Sequence, residues 1–317
     1  MARPIKQHIL GAVLALVLAG CGGAAVGAGT APAGSVADAP TPIPATPSPV
    51  AAASEDFVKD VEIGDGTTMH LLCVGPTDTG RPTVVFESGL GGDAGQWSDV
   101  VHELGGATRA CAYDRAGVGG SPPAAPGRTT SDQVADLRAL LAAADVPPPY
   151  LLVGFSSGGW NTLVHADRHP EDVVGAVLVD ARPPDFTARS LAALPPEAAT
   201  EADAIRITRE DATVFEVDPA LNPEGIVLRD SAAEALEAVG LTDKPLIVLA
   251  ASDDAAITEG FDTALADAMR TIWWEGQEGL AARSTQGRLE RVDGTEHEIP
   301  FSRPDAVADA IREILGD

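Results

Sequence analysis

The stretch Leu151-Leu152-Val153-Gly154-Phe155-Ser156-Ser157-Gly158-Gly159-Trp160 constrains this chain of 317 residues more than any other. An apolar, β-prone run leads straight into a glycine, a serine and a second glycine, and helix-compatible residues follow. A serine in that setting sits on a sharp strand-to-helix turn with its hydroxyl lifted clear of the backbone. Glycine suits 154 and 158 because side chains there would collide with the neighbouring strand and helix. With 33 glycines in the chain the motif alone says little; the strand before it and the helix after it give it meaning. At the head of a helix, the free amides and the dipole favour developing negative charge beside Ser156.

The rest of the chain repeats the same alternation. Short apolar runs at 83–86, 108–113, 150–153, 174–179, 245–250 and 289–292 read as strands. Helical patterns lie between and after them at 130–144, 157–169, 259–283 and 303–315. Strands alternating with helices predict parallel βαβ units covered on both faces. Residues 58–63 and 67–74 flank Gly64-Asp65-Gly66 and read as a hairpin. From 183 to 242 the chain turns rich in Ala, Glu and Asp, with several prolines and no convincing strand. That interval reads as a helical cap inserted over one edge of the sheet.

Three further motifs, in order along the chain, carry a resemblance. Glu87-Ser88-Gly89-Leu90-Gly91-Gly92 follows the strand at 83–86, and Asp114-Arg115-Ala116-Gly117-Val118-Gly119-Gly120-Ser121 follows the strand at 108–113. Gly294-Thr295-Glu296-His297 follows the strand at 289–292. With Gly154-Phe155-Ser156-Ser157-Gly158 they make residues 56–317 resemble the α/β-hydrolase family. The resemblance implies a mostly parallel sheet flanked by helices, with a helical cap insertion.

A serine hydroxyl is a poor nucleophile until a base takes its proton. Of six histidines, His297 alone lies in a loop between a last strand and a last helix, so it is the candidate base. The family's order of serine, acid, histidine restricts the third member to residues 157–296. Pro245-Leu246-Ile247-Val248-Leu249-Ala250-Ala251-Ser252-Asp253-Asp254 resembles the family's strand and G-x-x-D pattern, which puts Asp254 first. Ala251 replaces the glycine of that pattern, so the register also admits Asp253, and family members with an acid after the preceding strand would use Asp180. The backbone amides of Leu90 and Ser157 are the implied oxyanion donors. Asp114 and Arg115 organise a turn beneath the site in that family. Trp97, Trp160, Trp273 and Trp274 read as core packing.

Residues 1–20 combine Arg3 and Lys6 with an apolar run too short to span a membrane, the shape of a secretory signal. Leu18-Ala19-Gly20-Cys21 resembles the lipobox of bacterial lipoproteins, which implies lipidation of Cys21 and anchoring to the outer face of the cytoplasmic membrane. Residues 21–55, rich in Ala, Gly and Pro, read as a disordered tether. In the α/β-hydrolase strand order the strands of Cys73 and Cys111 are neighbours, and export makes a disulfide between them the expectation.

With 21 basic and 47 acidic residues the net charge is −26, which repels a nucleic-acid backbone. No His, Asp or Glu cluster has ligand spacing, so no metal or cofactor is expected. The implied activity is hydrolysis of a small or medium acyl substrate, carboxylic esters first, by a monomer. Two alternatives stay open: an aminopeptidase or amidase, whose cap would recognise an amine through Glu201, Asp203, Glu210, Asp211 or Glu216, and a catalytically silent ligand-binding lipoprotein.

Overall fold

The computed structural model describes residues 56–317 apart from Asp65, Asp78 and Asp254. The expected leader, Cys21 and the 21–55 tether therefore lie outside the described residues. Eight strands form one sheet: β1 Phe57–Gly64, β2 Thr67–Val74, β3 Thr83–Glu87, β4 Ala110–Tyr113, β5 Tyr150–Phe155, β6 Val173–Val179, β7 Leu246–Ala251 and β8 Gly287–Val292. Their order is β1-β2-β4-β3-β5-β6-β7-β8. The pairs β1·β2 and β2·β4 are antiparallel, and all others are parallel. This is the sheet that the resemblance implied.

Sequence pattern follows position in the sheet. Every residue of β3, β4 and β5 is buried, as expected of strands covered on both faces, whereas β1 at the edge keeps a single fully buried residue, Val61. Alternate residues of each strand serve opposite layers. Val84, Phe86, Leu151 and Val153 pack with α1 (Ser98–Leu104) and α10 (Pro304–Leu315). Val85, Leu152, Leu178 and Val248 pack with α2 (Thr130–Ala143) and α3 (Gly158–Arg168).

Local signals set the helix ends. Thr129 and Asp132 form a reciprocal capping box at the start of α2. Between β6 and β7 lie α4 (Phe186–Ala193), α5 (Asp203–Glu210) and α6 (Leu228–Glu237), with no strand among the described residues. After β7 come one turn, α7 (Ala255–Thr258), and the long α8 (Thr263–Ala281). The sequence pattern begins that long helix at 259. It begins at Thr263 because Gly260 adopts φ +80° and Asp262 caps the new start by accepting from the Leu265 amide. The turn α9 (Ile299–Ser302) precedes α10. The 3-10 turn Ala94–Trp97, capped by Asp93, leads into helix α1.

Cys73 and Cys111 face one another across β2 and β4, both fully buried, and their sulfurs are bonded at 2.03 Å. Strand β3 has β4 on one side and β5 on the other, so the strand order reverses there. Loops leaving the carboxyl ends of β3 and β5 diverge at such a point and leave a crevice between them. Those two loops carry the glycine-rich segment and Ser156.

Candidate active site

Ser156 leaves β5 with φ 51°, a left-handed conformation uncommon for a residue with a β carbon. The surrounding glycines allow it. A Cβ at Gly154 would lie 2.4 Å from Thr162 Oγ1, one at Gly158 only 2.2 Å from the Glu87 carbonyl oxygen, and one at Gly159 2.5 Å from Ala181 Cβ. Close packing of β5, the end of β3 and the first turn of α3 thus depends on three missing side chains. The turn is held by Gly159 and Arg182 amides donating to the Ser156 carbonyl, at 3.1 and 3.0 Å.

The His297 ring reaches this serine from the loop after β8. Its Nε2 lies 3.0 Å from Ser156 Oγ, and its Nδ1 lies 2.6 Å from Asp180 Oδ2. A carboxylate only accepts, so Nδ1–H donates to Asp180 and the serine hydroxyl donates to Nε2. Phe155 packs 4.8 Å from the imidazole, centre to centre, and Trp273 packs 5.9 Å from it.

Asp180, the alternative acid in the sequence, is the carboxylate at the imidazole among the described residues. It follows β6 directly with φ 38° and is 2% exposed. Its Oδ1 accepts from the Ala251 amide at 3.1 Å and from Trp273 Nε1 at 3.3 Å. Three donors therefore fix the carboxylate, each bond to a charged group worth about 1.5–3 kcal/mol. Asp253 is exposed and spends its Oδ1 on the Ala255 amide at 3.0 Å, capping the next turn. Asp254 lies outside the described residues. The end of β7 nonetheless borders the histidine loop: Ser252 and Asp253 amides both donate to the Thr295 carbonyl, and Ser252 Oγ accepts from the Gly294 amide. That closeness makes its aspartates plausible from sequence, but the Nδ1 partner comes from β6. Trp273, read from sequence as core, is the indole donor to Asp180; nothing in its spacing signals this.

The glycine loop after β3 closes the other side. A Cβ at Gly89 would lie 3.4 Å from Ser156 Cβ, so the loop runs directly against the serine. Among the described residues, neither the Leu90 nor the Ser157 amide donates to a protein acceptor. Both are free for an anion.

Beneath the loop lies a buried ionic cluster. Arg115 donates from Nη1 to the Ser88 carbonyl at 2.8 Å and from Nη2 to the Gly89 carbonyl at 2.6 Å. It also pairs with Glu224 through Nε at 2.9 Å and Nη2 at 2.7 Å. Glu224 takes further bonds from the Gly91 amide at 2.7 Å and Gln133 Nε2 at 2.5 Å. Burial opposes charge on both partners. Their mutual attraction prevails, raising the guanidinium further and holding Glu224 below the usual carboxylate range. Burial pushes Glu87 up, offset in part by Arg115, Asn161 and Tyr113. Asp114 does the turn-organising work expected of it, accepting from Ala94 and Gly120 amides at 2.7 Å each. Glu224 and Gln133 carry no sequence signal, because both lie far from any motif.

At the opposite end of α3, His169, Glu171 and Asp172 bring ligand atoms within 4.8 Å of one another, an arrangement that could hold a cation. Arg138 already lies 3.3 Å from Asp172 there.

A family profile described as "Alpha/beta hydrolase family" matches residues 84–310. The chain is 40% identical over 98 residues to the uncharacterized protein YqjL of Bacillus subtilis (strain 168), spanning 31% of this chain and 39% of the relative. It is 40% identical over 104 residues to a pimeloyl-[acyl-carrier protein] methyl ester esterase of Chromobacterium violaceum, spanning 32% of this chain and 38% of the relative. The chain thus aligns with about two fifths of these relatives' length. Among solved structures, the enol-lactonase from Burkholderia xenovorans LB400 superposes with a TM-score of 0.54 at 19% identity, covering 81% of this chain and all of that one. At that identity the likeness is one of fold.

Proposed function

Because the chain belongs to the alpha/beta hydrolase family, we propose that it is a serine hydrolase of carboxylic esters using Ser156, His297 and Asp180. The observation that carries this reading is the single imidazole bonded to both Ser156 Oγ and Asp180 Oδ2. As Oγ attacks the acyl carbon its proton passes to Nε2, and Asp180 stabilises the imidazolium that forms. The oxyanion is received by the Leu90 and Ser157 amides. The leaving alcohol takes the proton from Nε2, and water then hydrolyses the acyl-enzyme with His297 again as base.

Ester substrates are favoured over peptides by what surrounds the site. Phe155 and Trp273 place apolar rings beside the imidazole, and Phe186 packs edge-on against Trp273 at 5.0 Å. An aminopeptidase would need an ionised acid free to face a substrate ammonium. Most candidates between β6 and β7 are already paired: Glu201 with Arg209, Asp203 and Glu210 with Arg206, and Glu216 with Arg182.

The test is labelling by a fluorophosphonate together with turnover of p-nitrophenyl esters from two to sixteen carbons. The wild type labels and turns over the shorter esters, whereas Ser156→Ala takes no label and its kcat falls at least about 10³-fold. A folded wild type that takes no label would instead favour the ligand-binding lipoprotein.

A further inference from the structure

We propose that the buried Arg115–Glu224 pair positions the oxyanion loop, so that the donor at Leu90 depends on how the segment between β6 and β7 is seated. This rests on the reading of Leu90 as an oxyanion donor and goes on to say what holds it.

The pair grips the peptide groups on both sides of Leu90. Arg115 Nη2 holds the Gly89 carbonyl, which belongs to the same peptide unit as the Leu90 N–H. In a trans peptide the carbonyl and the N–H point in opposite directions, so fixing the oxygen fixes where the Leu90 hydrogen points. Glu224 Oε1 takes the Gly91 N–H, which belongs to the next peptide unit. The preceding unit is held as well, by Arg115 Nη1 at the Ser88 carbonyl and by the Gly89 amide donating to Gln96 Oε1 at 2.9 Å. Three successive peptide planes are thus pinned, and Leu90 N–H is left as the free donor among them.

Glu224 is not part of the sheet's own loops. It lies in the turn 222–226, braced internally by Asn222, whose side chain accepts from the Ile226 amide and donates to the Ile226 carbonyl. That turn packs onto both glycine loops. The Pro223 carbonyl oxygen is 2.1 Å from where a Cβ at Gly117 would sit, and Pro223 Cγ is 3.3 Å from one at Gly91. The Glu224 side chain is 1% exposed, so it cannot hold Arg115 and Gly91 unless this turn is fully docked. A shift of the turn would release the Gly91 amide and one partner of the guanidinium, and the Leu90 plane would be free to rotate. Arg115 and Glu224 are positioning residues here; neither touches the reacting atoms.

The experiment compares wild type with Glu224→Gln. Glutamine keeps the size and an oxygen for Gly91, but offers an amide to the guanidinium. Competent sites are counted by fluorophosphonate titration, and kcat and KM are measured for the best p-nitrophenyl ester. Affinity is measured for an alkyl boronic acid, which becomes a tetrahedral anion on Ser156. In the variant, kcat per titrated site falls about 30-fold while KM changes by less than about 3-fold. Boronate affinity weakens in step with kcat, and the acid limb of the kcat/KM pH profile stays in place because His297 is untouched. Arg115→Lys, which keeps charge but loses the planar fork, shows the same pattern and decides the matter should Glu224→Gln fail to fold. A merely structural pair would lower the melting temperature and the number of titrated sites but leave kcat per site within about 3-fold, and that result overturns the proposal. A wild type that takes no label would bring down the hydrolase reading itself, whereas a labelled wild type with unaffected variants brings down only the positioning role.

Discussion

Ser156 and His297 stand out in the amino-acid pattern because each needs a local setting that few residues supply: glycines around the one, a loop after the last strand for the other. The acid is different. Strands β6 and β7 both end in aspartates, and any of them could point at a histidine loop that borders both strand ends. Tertiary packing decides it. Asp253 caps its own turn, while Asp180 is turned into the site by its left-handed backbone and held by Ala251 and Trp273. From sequence alone Asp180 is an alternative and Asp254 comes first. Another buried residue has a measurable consequence. His165 is fully buried with neither ring nitrogen hydrogen-bonded, and burial followed by His169 pulls it down to about 4. Its folded value lies below the unfolded one, near 6.5, so its contribution is present above that pH and is lost as pH falls towards 4. Glu87, pushed up by burial, works in the opposite sense, so the difference between two proteins is the useful quantity. Urea unfolding across pH 4.5–7 should show the wild type losing up to about 3 kcal/mol relative to His165→Phe. Parallel curves would contradict the assignment.

All eight strands are legible in the sequence: continuous apolar runs mark the central strands buried on both faces, period-two alternation marks the hairpin, and the edge strand β8 shows only the short run ending in Val292. Helix α1 leaves only a faint trace, since Ser98–Leu104 is too short to show a period and starts from a 3-10 turn. The interval between β6 and β7 reads correctly as helical, yet the pairing of its Glu224 with Arg115, 109 positions earlier, has no sequence trace. Long-range contacts of that sort depend on how the insertion lies on the sheet. At the hairpin, the Cys73–Cys111 link between β2 and β4 closes a loop with a sequence separation of 38. A cross-link of that span stabilises by about 3–4 kcal/mol, chiefly by restricting the unfolded chain. Reduction should lower the melting temperature by on the order of 10 °C, and a non-reduced peptide map should join the two cysteine peptides. Separate peptides with free thiols, and a melt indifferent to reductant, would contradict this.

At the scale of the whole molecule, the reversal of strand order at β3 explains why motifs scattered along the chain converge. Loops after β3, β5, β6 and β8 leave the same end of a parallel sheet, and the residues that look chemical in the sequence sit on them. The excess of 47 acidic over 21 basic residues disfavours nucleic acid without identifying a substrate. The proposed preference for esters rests on the site instead, where aromatic rings adjoin the imidazole. The most direct test of the account is kcat for a short p-nitrophenyl ester in Asp180→Asn and Asp254→Asn, measured beside the wild type at pH 8. Asp180→Asn should fall about 10⁴-fold, as loss of the group that orients the imidazole demands, with Asp254→Asn within about 3-fold of wild type. The reverse ranking, or two equally active variants, would contradict it.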